Sequence, residues 1–301
     1  MRVHVLGGTG ALGAAISERL RSAGHVATAS GREVDVTDIR AVGRALTGGP
    51  ASGVDAVVCA APGSVGAVQQ ACAAASVPSV DVSPRYGQAL VGAERAARAS
   101  GTPHLVATGM FPGLSGVVAA EFARPGTPLE LRLVQSGNAR VGAAGVREML
   151  RWVADGAGAV RRDGSAWLRL ASAEADALAA EGLDVRMLTR WDDRAQSVAI
   201  ASLRRTGALR PLLGVPDAVV ARMARHSPDR PESVELSAHD PHRGTVWAAR
   251  ARGDYAATAA VAVAAAARLE RLPAGVHRPW QCLDLGDVLT DVADVVTVLP
   301  E

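Results

Sequence analysis

A glycine-rich segment near the start of the chain has the residue types and the spacing of a dinucleotide-binding turn. Gly7-Gly8-Thr9-Gly10-Ala11-Leu12-Gly13 follows the apolar stretch Arg2–Leu6 and opens an amphipathic stretch, as in a strand–turn–helix unit. Such a unit needs glycine for its tight turn, for close approach of a pyrophosphate and for packing of the helix on the strand. The N–H groups at the helix N-terminus then hold the diphosphate. The predicted cofactor contacts in this segment are Gly7, Gly8, Thr9, Gly10, Ala11 and Leu12.

The end of the second predicted strand, His25–Ser30, carries groups that suit a second phosphate. Ser30, Gly31 and Arg32 stand where an NAD-binding chain usually has an acidic residue for the ribose hydroxyls. A guanidinium and a small hydroxyl make charge-assisted hydrogen bonds to a 2′-phosphate, so these residues favour NADP. Glu33 follows directly and leaves NAD open.

Loops after the later strands are predicted at the same edge of the sheet. Small residues in Ala60-Ala61-Pro62 leave room for the nicotinamide ribose, and Ser83 and Met110 follow the next two strands. Asp35-Val36 lies where the adenine is usually met, although a helix cap ahead of Asp38 explains it equally well. The further predicted cofactor contacts are Asp35, Val36, Ala60, Ala61, Pro62, Ser83 and Met110.

The elements that must position these residues alternate between strand and helix over about the first 110 residues. Short turns between such repeats predict an α/β fold with a doubly wound, parallel Rossmann sheet. The predicted strands are Arg2–Leu6, His25–Ser30, Val54–Ala60, Val77–Val82 and His104–Thr108, and the predicted helices are Ala11–Ala23, Val65–Ala75 and Ala89–Ser100.

After Gly113 the rhythm changes and predicts a second, α+β domain. Its predicted elements are helices at Leu114–Phe122, Gly145–Val153 and Asp217–Arg225 and strands at Leu129–Val134, Ser233–Ser237 and Thr245–Ala251. A long alanine-rich helix, Tyr255–Leu272, and a last helix, Leu283–Val292, follow. We therefore expect a Rossmann domain of residues 1–122 plus 253–301 and a substrate and dimerisation domain of residues 123–252.

The composition excludes several kinds of chemistry. The 301 residues contain no lysine, so all 32 residues of the Lys+Arg count are arginine. A Schiff-base lysine, a lysine general base and a Tyr-x-x-x-Lys pair are therefore impossible. A net charge of +2 with interspersed signs gives no stripe for nucleic acid.

Cysteine and hydropathy patterns indicate a cytoplasmic protein without a metal site. Cys59, Cys72 and Cys282 are widely spaced and form no Cys-x-x-Cys motif, and a low, odd count fits a reducing compartment. No metal is expected. The apolar run at residues 256–267 is too short to span a bilayer, and Met1–Leu6 is too short for a signal peptide.

Several segments resemble the saccharopine dehydrogenase-like (saccharopine reductase) NADP-binding family. These are GGTGALG, AAPGS, ACAAASVPSVDVS and GMFPGLSGVVAAE, which together extend from Val3 to about Ala119, and the later GDYAATAAVAVAAAARLERL. The resemblance implies pyridine-nucleotide redox chemistry at carbon–nitrogen bonds, commonly reduction of an imine to a secondary amine by NADPH. Residues 123–250 carry no motif of that family.

Asp81 and Tyr86 are the candidate catalytic residues that follow from this resemblance and from the fold. Hydride attack is easiest on a protonated iminium, which a carboxylate at the end of the fourth strand stabilises. The alternative for Asp81 is a helix cap or a pair with Arg85. Tyr86 can donate a hydrogen bond, but no lysine can activate it, and stacking is the alternative.

The substrate is predicted to meet Phe111, Arg140, Arg147 and Trp191. Phe111 follows the fifth strand, and the two arginines can clamp a carboxylate, although a solvated surface position is the alternative for each. Trp191 precedes Asp192-Asp193-Arg194, a cluster that suits a cationic pocket or the acidic first turn of a helix.

Together these patterns predict a bacterial, NADPH-dependent oxidoreductase that acts on a C=N or C–NH bond in amino-acid, polyamine or secondary metabolism. Its partner is a small amine, imine or carbonyl compound, with no nucleic acid or membrane, and we expect a homodimer. The alternative function is a sensor that binds NADP without turnover, because the chain lacks lysine.

Overall fold

The computed structural model describes residues 1–64, 66–83, 87–138, 141–216, 219–220 and 232–300. The chain divides into two compact units, which are described separately below. The first unit consists of Met1–Val117 and Tyr255–Asp294, and the second of Val118–Asp254 and Val295–Glu301. Within the described residues, no helix combines the length and the apolar character needed to cross a membrane.

The first unit is built on a parallel sheet whose strand order reverses beside its first strand. Its described strands are β1 (Arg2–Leu6), β2 (Val26–Ser30), β3 (Ala56–Cys59), β4 (Ser79–Asp81), β5 (Pro103–Leu105) and β12 (Gly275–His277), numbered along the whole chain. Their order is β12-β5-β4-β3-β1-β2, with every pair parallel. The predicted α/β fold with a parallel Rossmann sheet is confirmed, and its topological switch point lies between β1 and β3.

The helices of the first unit follow these strands. They are α1 (Ala11–Ser22), α2 (Ile39–Gly48), α3 (Ala67–Ala74), α4 (Val91–Ser100), α10 (Asp254–Ala266, whose first residue ends the second unit) and α11 (Leu285–Asp291). Apolar side chains of α2 and α3, such as Val42, Leu46 and Val68, form one core with Leu6 and Val57 of the sheet. This burial fixes the carboxyl ends of β1 and β3 side by side.

Two elements of this unit lie outside the sequence expectations. Helix α2 was not predicted, although its buried residues Val42, Ala45 and Leu46 recur at helical spacing. Asp38 caps it by accepting a hydrogen bond from the Arg40 N–H at 2.8 Å. Strand β12 spans three residues, too few to show an alternating pattern. The helix expected at residues 255–272 instead ends at Ala266, and a separate 3₁₀ turn follows ahead of Pro273.

The second unit contains a mixed sheet, as expected for an α+β domain. Its described strands are β6 (Leu129–Gln135), β7 (Ala159–Arg162), β8 (Ser165–Arg169), β9 (Val185–Trp191), β10 (Val234–Asp240), β11 (Gly244–Ala251) and β13 (Val296–Val298). They lie in the order β13-β11-β10-β6-β9-β8-β7, and the β6–β9 pair is parallel. Residues 295–301, which the sequence division placed in the Rossmann domain, belong to this unit because β13 pairs with β11.

Helices of the second unit are α5 (Leu114–Phe122, which begins in the first unit), α6 (Ala143–Asp155), α7 (Ala173–Ala180), α8 (Arg194–Arg205) and α9 (Leu209–Leu212). The predicted helix at Asp217–Arg225 lies outside the described residues, apart from 219–220. The hairpin β7–β8 and strand β9 were not predicted. Arginines such as Arg162, Arg169 and Arg190 interrupt their apolar pattern on one face of the sheet.

Asp254 makes the stability of the folded chain depend on pH. Burial, and then the negative charge of Glu232, raise the pKa of Asp254 from 3.8 to about 6. The folded state therefore holds this proton more tightly than the unfolded chain does. The resulting stabilisation is complete below the ordinary value and is lost as the pH rises through about 6.

We expect Asp254→Asn to remove this loss, because an amide does not ionise. Urea denaturation at a series of pH values measures the free energy of unfolding, which should fall between about pH 4 and pH 6 in the wild type and stay flatter in the variant. Asp176→Asn, in the first turn of α7, is the matched control and should follow the wild-type profile. Parallel profiles for the wild type and Asp254→Asn contradict the prediction.

Candidate functional site: a nucleotide edge on the parallel sheet

Two loops touch at the switch point of the parallel sheet. Gly7, after β1, has φ +77°, and a Cβ added there would lie 2.8 Å from the backbone nitrogen and the Cβ of Ala61, after β3. Only glycine combines this backbone conformation with so close an approach. The two loops therefore form the floor of the crevice in which sheets of this kind bind their ligands.

Further glycines pack the turn against its neighbours. The Gly8 N–H donates to the Ser30 carbonyl at 2.7 Å, and a Cβ on Gly8 would collide with the side chain of Ala29. A Cβ on Gly13 would collide with the Gly7 carbonyl, so α1 can only approach the turn closely through glycine. Gly7, Gly8 and Gly13 thus each have a steric reason, whereas a Cβ on Gly10 would meet only the Gly7 carbonyl oxygen, at 3.3 Å.

The N-terminus of α1 has its backbone N–H groups free of a side-chain cap. Gly10 occupies the cap position in an extended conformation, and no side-chain hydrogen bond caps the helix within the described residues. Thr9 and Ala11 are exposed beside it. Uncapped N–H groups and the positive end of the helix dipole suit the diphosphate of a dinucleotide, so the residues present fit such a group.

His4, a buried residue of β1, contacts the side chains of β2. Its Nε2 lies 3.0 Å from the Ser30 hydroxyl, and its Nδ1 lies 2.8 Å from the Thr28 hydroxyl. Burial lowers the pKa of His4, so the ring is neutral at pH 7 and carries one ring proton. Ser30 is 1% exposed and its hydroxyl faces His4, so contact between that hydroxyl and a 2′-phosphate stays a prediction.

The two charged residues after β2 have different surroundings. The Glu33 carboxylate folds back and accepts a hydrogen bond from the Gly31 N–H at 2.6 Å, which lowers the pKa of Glu33. Arg32 is exposed, and among the described residues it has no hydrogen bond or ion pair from its side chain. An uncompensated guanidinium thus stands at the position predicted for the second phosphate.

The loop before α2 makes local hydrogen bonds and ends in a helix cap. Asp35 accepts hydrogen bonds from the Thr37 N–H at 2.9 Å and the Thr37 hydroxyl at 2.7 Å, which lower the pKa of Asp35. Asp38 is the helix cap, and the side chain of Val36 is buried in the core. Adenine contact by Asp35 and Val36 stays a prediction.

Asp81, the last residue of β4, is buried and accepts hydrogen bonds from three neighbouring residues. Its carboxylate accepts a short hydrogen bond from the Ser64 hydroxyl, one from Gln69 Nε2 at 2.9 Å and one from the Ser83 N–H at 2.8 Å. Asp81 is 2% exposed, and burial raises its pKa against the opposing effect of these donors. The placement favours the ordering of loops over direct contact with a substrate.

Other predicted cofactor residues lie in loops that hydrogen bonds join to neighbouring segments. The Ser83 hydroxyl donates to the Ala61 carbonyl at 3.1 Å, which joins the loops after β3 and β4. The buried Met110 N–H donates to the Thr258 hydroxyl of α10 at 3.1 Å, which joins the loop after β5 to the returning helix. The Phe111–Pro112 peptide bond in that loop is cis.

The predicted cofactor residues of the first unit lie in the loops after its strands, and the predicted catalytic and substrate residues are distributed differently. Tyr86 and Arg140 lie outside the described residues. Arg147, on α6, donates to the Val215 carbonyl, and Trp191 is buried at the end of β9. Asp193 caps α8 by accepting from the Ala195 N–H at 2.7 Å, which accounts for one of the acids after Trp191.

Some residues of the edge were missed by sequence reasoning. His4, Ser64, Gln69 and Thr258 act through partners that are distant along the chain, such as Ser30 for His4. A polar residue inside an apolar strand, as His4 is in β1, is the one local signal among them. Within the described ranges, no cluster of His, Cys, Asp and Glu has the arrangement to hold a metal ion.

Asp81→Asn should lower the free energy of unfolding by about 1–3 kcal/mol, because an amide has one acceptor oxygen and leaves a buried donor unpaired. Ser64→Ala should act in the same direction by about 1 kcal/mol. Asp55→Asn, an exposed carboxylate paired with Arg2, is the control and should change little. Urea denaturation at pH 7 measures all three, and a neutral Asp81→Asn contradicts the ordering role.

Comparison with known proteins identifies the fold. No protein-family model and no curated protein sequence matches the chain. A saccharopine dehydrogenase (L-Glu forming) structure from Saccharomyces cerevisiae aligns over 99% of this chain and 100% of its own, with a TM-score of 0.58 and 11% identity. A homospermidine synthase from Legionella pneumophila, in complex with NAD, aligns over 100% and 91%, with a TM-score of 0.59 and 11% identity. The chain therefore has the saccharopine dehydrogenase-like fold, and the resemblance seen in its sequence is confirmed at the level of the fold.

Proposed function

We propose that this protein is an NADP-dependent oxidoreductase that acts on a carbon–nitrogen bond, either as an imine reductase or as an amine dehydrogenase. The observation that carries the proposal is the carboxyl edge of the parallel sheet with the loops after its strands, here called the nucleotide edge. The N-terminus of α1 has no side-chain cap and follows a glycine turn that sterics require. Arg32, which is exposed and has no partner among the described residues, lies at the end of the neighbouring strand. The saccharopine dehydrogenase-like fold supports the same class of reaction.

Each part of the edge has a role toward the dinucleotide. The N–H groups at the start of α1 hold the diphosphate, and Arg32 binds the 2′-phosphate through its planar guanidinium. The loops that contain Ala60-Ala61-Pro62, Ser83 and Met110 receive the nicotinamide half. The cofactor supplies the hydride that is transferred.

NADP is favoured over NAD by the partners of the two charged residues. Glu33, the residue that could accept ribose hydroxyls, already accepts from the Gly31 N–H at 2.6 Å. Arg32 has no acidic partner among the described residues, so a phosphate would bring its first counter-charge. Arg32 therefore does not have to break an ion pair with a described residue before it binds the phosphate.

Asp81 contributes by position in this proposal. Its three hydrogen bonds hold the loops after β3 and β4 and the start of α3 in one arrangement. Stabilisation of an iminium by Asp81 stays a proposal, and kinetics test it: a catalytic carboxylate predicts a roughly 100- to 1000-fold fall in kcat for Asp81→Asn with NADPH affinity kept. Tyr86 remains the second catalytic candidate.

The alternative is a sensor that binds NADP without turnover. The complete absence of lysine and the burial of Asp81 favour it, because both reduce the number of groups that can move a proton at the nicotinamide. NADPH oxidation with a panel of amine and carbonyl pairs distinguishes the two functions. Turnover with any pair excludes the sensor.

We also propose a cytoplasmic location, a small-molecule substrate and a homodimer.

Arg32→Ala should weaken NADPH binding by about 1.5–3 kcal/mol, the usual value of a hydrogen bond to a charged group, and leave NADH binding nearly unchanged. The dissociation constants of both cofactors are measured by calorimetry, without any substrate. Arg44→Ala, at an exposed arginine of α2, is the matched control and should bind both cofactors as the wild type does. Equal losses for NADPH and NADH mean that Arg32 is structural and that Glu33 reads the ribose.

A further inference from the structure

A tryptophan of the second unit lies between two arginines on the charged face of the mixed sheet. The guanidinium carbons of Arg132, on β6, and Arg190, on β9, lie 5.8 and 5.0 Å from the centroid of the Trp167 ring. The register of β8 with β9 pairs Leu168 with Thr189, so Trp167 is the cross-strand neighbour of Arg190. Both guanidinium groups are within the range of a cation–π contact.

Two N–H donors of this cluster are buried and have no acceptor among the described residues. These donors are Trp167 Nε1 and Arg190 Nε. Buried donors in folded proteins are almost always paired with protein, with ordered water or with a bound group. Two orphaned donors on neighbouring residues therefore point to an acceptor that the described part of the chain does not supply.

The charges of the cluster are also incomplete. Arg132 pairs with Glu130 at 3.0 Å and with Asp163 at 2.8 Å, and Arg162 pairs with Glu130 at 2.6 Å. Arg190 forms no ion pair in the described part of the chain. Three guanidinium groups thus share two carboxylates, and the uncompensated positive charge lies on the residue with the orphaned donor.

The neighbouring histidine does not change this balance. Burial, and then the positive charge of Arg132, lower the pKa of His239 to about 4, so its ring is neutral at pH 7. Its nitrogens are already bonded to the hydroxyls of Ser237 at 3.0 Å and Thr245 at 3.1 Å. Arg250, on the adjoining strand, is paired with Glu235 at 2.6 Å.

We propose that Arg190 and Trp167 form a binding site for a small carboxylate. The carboxylate oxygens accept from the guanidinium of Arg190 and from the indole N–H of Trp167. A single missing negative charge favours a monovalent carboxylate over a phosphate dianion, which would leave one negative charge uncompensated in a partly buried site. The inference concerns the second unit alone and does not depend on the proposed cofactor chemistry.

The wild-type protein provides a direct test. In protein labelled with ¹⁵N-tryptophan, five indole N–H resonances are expected, and the one missing from Trp167→Phe belongs to Trp167. Titration with sodium propionate at constant ionic strength should shift this resonance saturably, with a Kd in the millimolar range. Sodium phosphate at the same concentrations should shift it little.

Variants then identify the groups that bind. Arg190→Gln should weaken propionate binding by about 10-fold or more and Trp167→Phe by about 2- to 10-fold, as expected for a charged and a neutral hydrogen bond. Arg250→Gln, which changes an already paired arginine on the same sheet, is the control and should bind as the wild type does. Calorimetry measures the three dissociation constants without cofactor, so failure here is distinguishable from failure of the proposed function.

Three results overturn the proposal. These are a wild-type Trp167 resonance that does not shift with propionate, phosphate binding as tight as propionate binding, and unchanged propionate affinity in Arg190→Gln. If Arg190→Gln does not fold, the wild-type titration decides alone.

Discussion

The contact between the loops after β1 and β3 is the constraint on which the nucleotide edge depends. At this point the order of the strands reverses, and the backbones approach so closely that a Cβ on Gly7 would lie 2.8 Å from the Ala61 nitrogen. A side chain here would separate the loops and lift α1 from the sheet. The glycine turn, the uncapped helix N-terminus and the small residues after β3 are therefore consequences of one close approach rather than independent features.

Buried polar side chains stabilise the same edge through hydrogen bonds to other protein groups. Asp81 receives donors from three segments, and His4 fixes the hydroxyls at the end of β2. A buried carboxylate is costly unless it is hydrogen-bonded, so its partners fix the loops in one arrangement. Arg32, by contrast, has no such partner among the described residues, and the exposed side of the edge keeps a positive charge for a ligand.

Sequence reasoning identified the parts of this arrangement that local pattern determines. The glycine spacing, the apolar run of β3 and the position of Arg32 follow from sterics and hydrophobic periodicity, which act over a few residues. Strand β12 contains three residues, and the partners of Asp81 stand 12 and 17 positions away from it in Gln69 and Ser64, so no local pattern indicates them. The uncompensated charge of Arg190 is likewise visible only after β6, β7, β8 and β9 are placed side by side.

A chain that contains arginine but no lysine separates charge from proton transfer. Arginine keeps its proton at every physiological pH, so all 32 basic residues can bind anions and none can act as an acid or a base. Two histidines of the first unit, His4 and His104, are poorly placed to replace lysine, since burial lowers the pKa values of both, that of His104 to about 4, and both rings are hydrogen-bonded to hydroxyls. In the proposed reaction, the groups left for proton transfer at the nitrogen are a carboxyl group, a tyrosine hydroxyl, another histidine, or the substrate and water. The two proposals together assign the recognition of anions to arginines, Arg32 and Arg190 among them.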